Sequence, residues 1–177
     1  MIEQLRETDF DRMFSLMKES FPEDERRSYE EERALLEIPE FRIYAESGAK
    51  DSALQAFLAY WNFEDIGYIE HFAVNPDCRN QGLGGRILQE VMKISNRQIC
   101  LEVEPPETEI ARRRIGFYER NGFVYNDYVY VQPPMTEGRN PVPLRLMTTG
   151  GPVNKPEFER LKEILYTKVY HVSKDWK

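Results

Sequence analysis

A group of glycines beside an arginine is the segment of this sequence best suited to chemistry. Residues 79–85 read Arg-Asn-Gln-Gly-Leu-Gly-Gly. They follow an apolar, β-branched stretch at 68–74 that is typical of a half-buried strand, and apolar residues recur at helical spacing from Leu83 to Met92. The first amides of a helix have no partner within the helix, and glycines let those amides approach a phosphate closely. The order of strand, glycine-rich turn and helix therefore predicts an anion-binding site.

Two common phosphate-binding loops do not match this segment. A P-loop needs lysine followed by serine or threonine after its last glycine, whereas Gly85 and Arg86 follow Gly84 here. The dinucleotide-binding fingerprint needs a third glycine at the position of Ile87. A strand-to-helix connection without any ligand, in which the glycines serve only a tight turn, is the alternative interpretation.

The motif that remains is Arg-x-x-Gly-x-Gly, from Arg79 to Gly84. It resembles the acetyl-CoA pyrophosphate loop of the GNAT acetyltransferase superfamily. A second motif of that family appears at 116–123 as Gly-Phe-Tyr-Glu-Arg-Asn-Gly-Phe, and the apolar segment at 99–103 predicts a strand between the two motifs. The resemblance is clearest over residues 66–125, and the flanks fit it in pattern only.

The resemblance implies an N-acetyltransferase in which a primary amine attacks the thioester of acetyl-CoA directly. It implies that the loop holds the pyrophosphate, that the pantetheine arm lies along the preceding strand, and that the backbone amide of Val74 is the oxyanion donor. No metal is expected. The residues expected to bind acetyl-CoA are Phe72, Ala73, Val74, Arg79, Asn80, Gln81, Gly82, Leu83, Gly84, Gly85 and Tyr118.

Two glutamates are candidates for the base that takes the proton of the amine. Glu70 is the first, because an alternating strand places it on the same face as Tyr68, Phe72 and Val74. Glu102, on the neighbouring predicted strand, is the second, and a merely solvated role is the alternative for either. A carboxylate of ordinary pKa is a weak base for this task unless it is desolvated or acts through water. His71 has the opposite parity, so we expect it to be packed in the core or to face solvent.

Tyr118 matches the tyrosine of the second motif, which the family uses as the acid that protonates the departing thiolate. The alternative is an aromatic core position, a role that Phe117 and Phe123 can also fill. Many relatives carry asparagine seven residues before this tyrosine, where Ala111 stands here. Residues 112–114, which follow Ala111, are all arginine. They either reach the cofactor phosphates or form a solvated face of the helix.

The predicted elements form an α/β (α+β) fold. It has a mixed, mostly antiparallel sheet of six to seven strands, splayed at a central parallel pair, with helices on both faces. We expect a GNAT-like acetyltransferase domain at 1–150 and a C-terminal helical extension at 151–177 that packs on the domain or on a partner. Predicted strands lie at 1–6, 41–47, 53–63, 68–74, 98–103, 123–131 and 144–148, and predicted helices begin after Thr8 or Asp9, at Ser28, near Leu83, at 107–109 and beyond 151.

Composition limits the other functions. The 177 residues carry a net charge of −7, which argues against nucleic acid, and no apolar run suits a membrane span or a signal peptide. The two cysteines, Cys78 and Cys100, do not form a disulfide framework, so we expect the cytoplasm, and a homodimer remains open. Acidic residues at 23–25 and 30–32 favour a small cationic amine as acceptor. A protein N-terminus or lysine as acceptor, and an acyl-CoA-binding module without turnover, are the alternatives.

Overall fold

A computed structural model describes residues 2–48 and 54–177. These residues form two compact units, one made of Met1–Pro22 and Ser28–Cys100 and the other of Glu23–Arg27 and Leu101–Lys177. The strands are β1 Glu3–Gln4, β2 Phe41–Ser47, β3 Leu54–Asn62, β4 Gly67–Val74, β5 Ile99–Val103, β6 Phe123–Gln132 and β7 Val142–Thr149. The α-helices are α1 Phe10–Ser20, α2 Tyr29–Ala34, α3 Leu83–Ile94, α4 Glu109–Arg120 and α5 Lys155–Ile164.

The strands form a mixed sheet in the order β1-β2-β3-β4-β5-β7-β6. Neighbours from β1 to β4 are antiparallel, as are β6 and β7. The parallel pair is β4 and β5, and it begins where the Gly67 amide donates to the Gln98 carbonyl at 2.9 Å. The expected fold class is therefore confirmed. Most of the connection between the strands predicted at 41–47 and 53–63, and the first residue of the second of these strands, lie outside the described residues.

In the first unit, α1 and α2 begin in different ways. A 3₁₀ turn precedes α1. Asp9, one of the two residues after which we expected this helix to begin, is its N-cap but makes no side-chain cap hydrogen bond. Its carboxylate instead pairs with Arg6 at 2.7 Å and with Arg12 at 3.4 Å. Ser28 caps α2 with a reciprocal capping box to Glu31. The apolar face of α1 is buried through Phe10, Met13, Phe14, Leu16 and Met17.

In the second unit, Thr108 caps α4 by accepting a hydrogen bond from the Ala111 amide at 3.0 Å. The helix ends where Gly122 takes the left-handed conformation, with φ 92°, as a C-terminal glycine should. The C-terminal helix α5 is packed within this unit, because the ring of Phe158 stacks on Tyr128 with centroids 4.7 Å apart. The division of the chain at residue 150 stays a prediction. Among the described residues, no helix combines the length and the apolar content that crossing a membrane requires.

Candidate active site

The glycine-rich segment forms an exposed loop between β4 and α3 in the first unit. The strand ends at Val74, and the Asn75 side chain accepts a hydrogen bond from the Asp77 amide at 3.1 Å, which starts a 3₁₀ turn over Pro76–Cys78. Arg79 then donates from Nε to the Val74 carbonyl at 3.0 Å. This bond ties the loop back to the end of the strand.

Two residues in the left-handed conformation turn this loop into α3. Asn80 has φ 62° and Gly82 has φ 76°. A Cβ at Gly82 would meet no atom within 4 Å, so the backbone conformation, and not a lack of space, favours glycine there. Gly82 is the N-cap of a 12-residue helix and supplies no side-chain acceptor. The first amides of α3, from Leu83 to Gly85, thus lie at the positive end of the helix dipole beside an exposed loop, which suits an anion.

A β-bulge in β4 sets the direction of the candidate base. Ala59 of β3 lies opposite His71, while the next residue, Tyr60, lies opposite Ile69. Glu70 is therefore an extra residue of β4 with no direct partner in the β3 register. Bulges of this kind re-aim side chains and are frequent beside active sites.

The bulge also overturns the expected alternation along β4. The β3 partners of Tyr68 and His71 are two residues apart, so Tyr68 and His71 lie on the same face of the sheet. Phe72 and Val74 lie on the opposite face. The expectation that Glu70 shares one face with Tyr68, Phe72 and Val74 is wrong, because an extra residue resets the parity of the strand.

The backbone amide of Val74, the expected oxyanion donor, points away from β3. The next amide, that of Asn75, donates to the Gln55 carbonyl at 2.8 Å. Successive amides of a strand point to opposite edges, so the Val74 amide points away from β3. Phe72 and Val74 are partly exposed around the buried Ala73, and they share one face of the strand end.

Glu70 belongs to a buried cluster in the first unit, together with His71 and Glu32. The Glu70 side chain is 1% exposed, that of His71 is 2% exposed, and Glu32 is 0% exposed. His71 Nδ1 lies 3.8 Å from Glu70 Oε2, and one polar atom from each residue falls within 4.8 Å of the others. The ring of Phe21 packs edge-on against His71, with centroids 4.7 Å apart. His71 is therefore packed, which is one of the two placements that we expected for it. Its neighbours include the ionisable side chains of Glu70 and Glu32.

The burial of Glu32 was not predicted from the sequence, where we grouped residues 30–32 with the acidic residues that favour a cationic acceptor. The signal that could have found it is helical spacing, because Glu32 lies three residues before the buried Leu35 and so on the same face. The capping box of Ser28 and Glu31 fixes the start of α2 one turn before Glu32. Glu32 therefore reaches the cluster from α2.

Glu102, the second candidate base, is bound by two phenols in the second unit. Tyr170 Oη lies 2.8 Å and 3.0 Å from its two carboxylate oxygens, and Tyr130 Oη donates to Oε1. Burial, and then the neighbouring Glu102 carboxylate, raise the pKa of Tyr130 well above its ordinary value. The carboxylate of Glu102 therefore joins β5 to β6 and to the C-terminal segment after α5.

Tyr118 is buried on α4, where its ring packs edge-on against Phe117 and Phe123 at centroid distances of 5.3 Å and 5.7 Å. Burial raises the pKa of the phenol to about 12, and the positive charge of Arg114, one turn earlier, opposes this shift. Tyr118 is therefore a neutral hydrogen-bond donor throughout the physiological pH range.

The acidic turn at 23–25 is fastened to the long loop before β7 within the second unit. Asp24 accepts hydrogen bonds from the Asn140 amide at 2.9 Å and from its side chain at 3.1 Å, and these bonds lower the pKa of Asp24. Arg139 pairs with Glu23 at 2.9 Å. These two acidic side chains therefore have a structural role.

Glu25, the third acidic residue of that turn, lies near the carboxylates of Glu104 and Asp24. Burial, and then the charge of Glu104, raise the pKa of Glu25, while Arg114 opposes the shift. Arg114 itself pairs with Glu104 at 3.2 Å. Glu25 therefore lies beside the ion pair of Arg114 and Glu104.

Residues 10–123 match the model of the Acetyltransferase (GNAT) family. The curated Bacillus subtilis (strain 168) protein named "Putative acetyltransferase YjbC" is 31% identical over 112 residues, which span 62% of this chain and 55% of that protein. The solved structure described as "Putative acetyltransferase from GNAT family from Bacteroides thetaiotaomicron" has 36% sequence identity and a TM-score of 0.87, and the match covers 98% of this chain and 99% of that one.

A solved complex of Arabidopsis thaliana NAA60 with acetyl-CoA shares the fold, with 16% identity, a TM-score of 0.65 and coverage of 84% of this chain and 96% of that one. The family match includes the glycine-rich loop, the bulged strand and Tyr118. The chain therefore belongs to the GNAT acetyltransferase family.

Proposed function

We propose that this protein transfers the acetyl group of acetyl-CoA to a primary amine by direct attack, and that the acceptor is a small cationic amine. The loop from Arg79 to Gly85 is the observation that carries the proposal. Residues 79–82 are exposed and enter α3 through a left-handed glycine, and the positive end of that helix, from Leu83 to Gly85, has no side-chain cap. The pyrophosphate of acetyl-CoA is the group that such a loop holds in the family.

The reacting carbonyl needs a donor for the charge that develops on its oxygen. The Val74 amide is the group we propose, because it points away from β3 at the end of β4. A preorganised donor of this kind contributes ~3–4 kcal/mol to the transition state. Phe72 and Ala73 precede it and would line the pantetheine arm.

The base must remove a proton from the amine before it can attack. An alkylamine of pKa about 10.4 is protonated at pH 7, and forming its neutral state there costs about 4–5 kcal/mol. We propose Glu70 for this role. Glu102 is bound by the phenols of Tyr130 and Tyr170, and proton acceptance there would disturb both hydrogen bonds. Because the Glu70 side chain is 1% exposed, the proton reaches it through a water molecule or after a local opening of the site.

We propose Tyr118 as the acid that protonates the thiolate of coenzyme A. The raised pKa keeps its proton in place before the reaction. Tyr118 follows Arg114 by one helical turn, and the arginine favours negative charge nearby.

The cationic acceptor is supported by the acidic pair of Glu25 and Glu104 and by the net charge of −7. A protein N-terminus or lysine would present the same ammonium chemistry and is the alternative acceptor. We propose the cytoplasm as compartment on the two free cysteines, and a homodimer as one assembly to test by light scattering.

The experiment that tests the function mixes the protein with acetyl-CoA and a panel of amines, and follows free thiol and the mass of the amine. The panel holds polyamines, amino sugars, lysine-like amines, acidic amino acids and peptides with free N-termini. Thiol release that depends on one amine, with that amine acetylated, is the expected result. Binding of acetyl-CoA, seen as a raised melting temperature, without release above the buffer rate would instead indicate an acyl-CoA-binding module.

A further inference from the structure

The end of β4 carries an inference that deepens the proposed function and rests on it, because it concerns Val74, whose amide we assign as oxyanion donor. In a strand, the N–H and C=O groups of one residue point to the same edge. The Asn75 amide donates to the Gln55 carbonyl of β3, so Val74 directs both its amide and its carbonyl to the opposite edge. The carbonyl of Val74 therefore needs a donor from outside β3.

The side chain of Arg79, in the loop that follows, is this donor. Its Nε lies 3.0 Å from the carbonyl oxygen of Val74. The peptide group between Val74 and Asn75 is thus held on both sides, at its C=O by Arg79 and at its N–H by Gln55, at 2.8 Å. The Asn75 side chain adds a third bond, because its Nδ2 donates to the Leu54 carbonyl at 3.3 Å. Arg79 therefore supplies the bond on the edge where the Val74 amide lies.

The shape of arginine allows a second contact from the same side chain. The guanidinium is a planar fork of N–H donors, so it can hold a carbonyl through Nε while its terminal nitrogens bind an anion. Arg79 is exposed and lies three residues before the left-handed Gly82 that begins α3. A phosphate at the start of α3 would suit the charge of this fork.

We propose that Arg79 is a positioning residue of the oxyanion site as well as a ligand of the pyrophosphate. Through Nε it fixes the carbonyl of Val74, and with it the direction of the amide that meets the oxygen of the thioester. One side chain then links cofactor binding to the placement of the oxyanion donor. Placement matters for rate, because a shift of about 1 Å in a reacting geometry can cost about 10²-fold.

Two variants of similar length separate the two roles of Arg79. In Arg79→Gln the amide nitrogen Nε2 takes the same place along the side chain as Nε of arginine, so a donor is kept while the charge is lost. In Arg79→Met a methyl group takes that place, so the donor and the charge are both lost. The difference between the two variants therefore measures the bond to Val74, since both lack the charge that binds a phosphate.

The first test measures backbone order parameters by nitrogen-15 relaxation and needs no substrate. We expect the values for Val74 and Asn75 to stay near about 0.85, as in rigid backbone, in the wild type and in Arg79→Gln. In Arg79→Met they should fall toward about 0.6, because the carbonyl of Val74 has lost its donor. Equal values in all three proteins would overturn the proposal.

The matched control is Arg42→Met, the same substitution at another arginine of the first unit. The Arg42 guanidinium also donates to backbone carbonyls, to that of Phe41 at 2.6 Å and to that of Ile38 at 3.3 Å. This variant should leave the order parameter of Val74 and the kcat of the wild type unchanged. A fall at Val74 in Arg42→Met as large as in Arg79→Met would show a general loss of rigidity and would also overturn the proposal.

The second test separates binding from turnover with acetyl-CoA and the best amine of the panel. Both variants of Arg79 should weaken acetyl-CoA binding about tenfold, because both lose the charge. At saturating acetyl-CoA, kcat of Arg79→Gln should stay within about threefold of the wild type, whereas kcat of Arg79→Met should be roughly tenfold lower than that of Arg79→Gln. Equal kcat values in the two variants would refute the positioning role and leave the transferase in place. If the wild type binds acetyl-CoA but acetylates no amine, the proposed function fails, and the oxyanion role fails with it, whatever the order parameters show.

Discussion

At Tyr118, burial both positions the ring and sets the acidity of the phenol. The ring is held between Phe117 and Phe123, and the pKa rises to about 12. Transfer of its proton to a thiolate of ordinary pKa near 8.5 would cost roughly 5 kcal/mol. We propose that the thiolate departs beside Tyr118, where burial would raise the pKa of the thiol as well and so narrow the difference between the two pKa values. We therefore expect proton transfer to be concerted with the departure of the thiolate.

Tyr118→Phe keeps the packing and removes the proton. We predict that kcat falls ~10²-fold or more while the affinity for acetyl-CoA changes little, because only the late proton transfer is lost. Pre-steady-state kinetics with the best amine measures this effect. Phe117→Leu is the control, because it disturbs the same aromatic contact and leaves the phenol. An unchanged kcat under rate-limiting chemistry would assign the acid role to another group.

For the base, Glu70→Gln should lower kcat/KM more than Glu102→Gln does. The loss should shrink as the pH rises toward the pKa of the amine, about 10.4, since the free amine then forms without help. Rates measured across this pH range for both variants decide the matter. The reverse ranking would transfer the role to Glu102, and two small, equal effects would indicate that solvent is the base.

Glu102 should instead matter for stability. Glu102→Gln replaces a charged acceptor of two phenol hydrogen bonds, and we predict a loss of about 1.5–3 kcal/mol in the free energy of unfolding. Tyr170→Phe, which removes one of these donors, should give a smaller loss. The pKa of Tyr130 in the folded protein lies above its value in the unfolded chain, which is near 10. The stabilisation that the hydrogen bond from Tyr130 to Glu102 provides is therefore complete below about pH 10 and is lost as the pH rises further. Chemical denaturation at several pH values measures both effects, and equal stability of all three proteins would contradict the account.

At the scale of elements, the loop before α3 should depend on its glycines. In Gly84→Val a branched side chain stands on the first turn of α3, where the pyrophosphate would approach, so we predict that acetyl-CoA no longer raises the melting temperature. Gln89→Val places the same side chain at an exposed position later on α3 and serves as control. Normal stabilisation of folded Gly84→Val by acetyl-CoA would refute the loop assignment.

Elements with a local signal could be predicted from the sequence. Ser28 begins α2, Gly122 ends α4, and the glycine loop joins β4 to α3, because the signal for each lies within a few residues of the chain. The bulge at Glu70 has no such signal, since it depends on the register with β3. The sequence therefore misjudged which residues of β4 share a face, and the role of Glu70 in the site stays a prediction.

The burial of Glu32 depends on tertiary packing in the same way. Three consecutive glutamates at a helix start satisfy the helix dipole, and that local explanation concealed the one that points into the core. The role of Glu102 also required the fold, because its partners lie 28 and 68 residues away along the chain.

At the scale of the whole molecule, the net charge of −7 should assist a cationic acceptor. We predict that kcat/KM falls as salt rises from low to physiological strength, because exposed charges are screened over roughly 8–10 Å. Glu25→Gln is the variant that tests this most cleanly. A charge reversal at Asp24 would also break the hydrogen bonds that join Asp24 to Asn140, and so would disturb the fold. It should raise KM for the amine and leave acetyl-CoA binding unchanged. A best substrate that proves anionic, or a rate that rises with salt, would defeat this part of the account.

A single reaction of the wild-type protein with acetyl-CoA and the best amine, in which coenzyme A thiol and acetylated amine are followed together, decides whether this chain transfers acetyl to an amine. We predict that the two products appear in a ratio of about one to one, that both depend on the amine, and that both slow together in Tyr118→Phe. If acetyl-CoA binds and thiol appears no faster than in buffer for every amine tested, the chain is not the amine acetyltransferase that we propose.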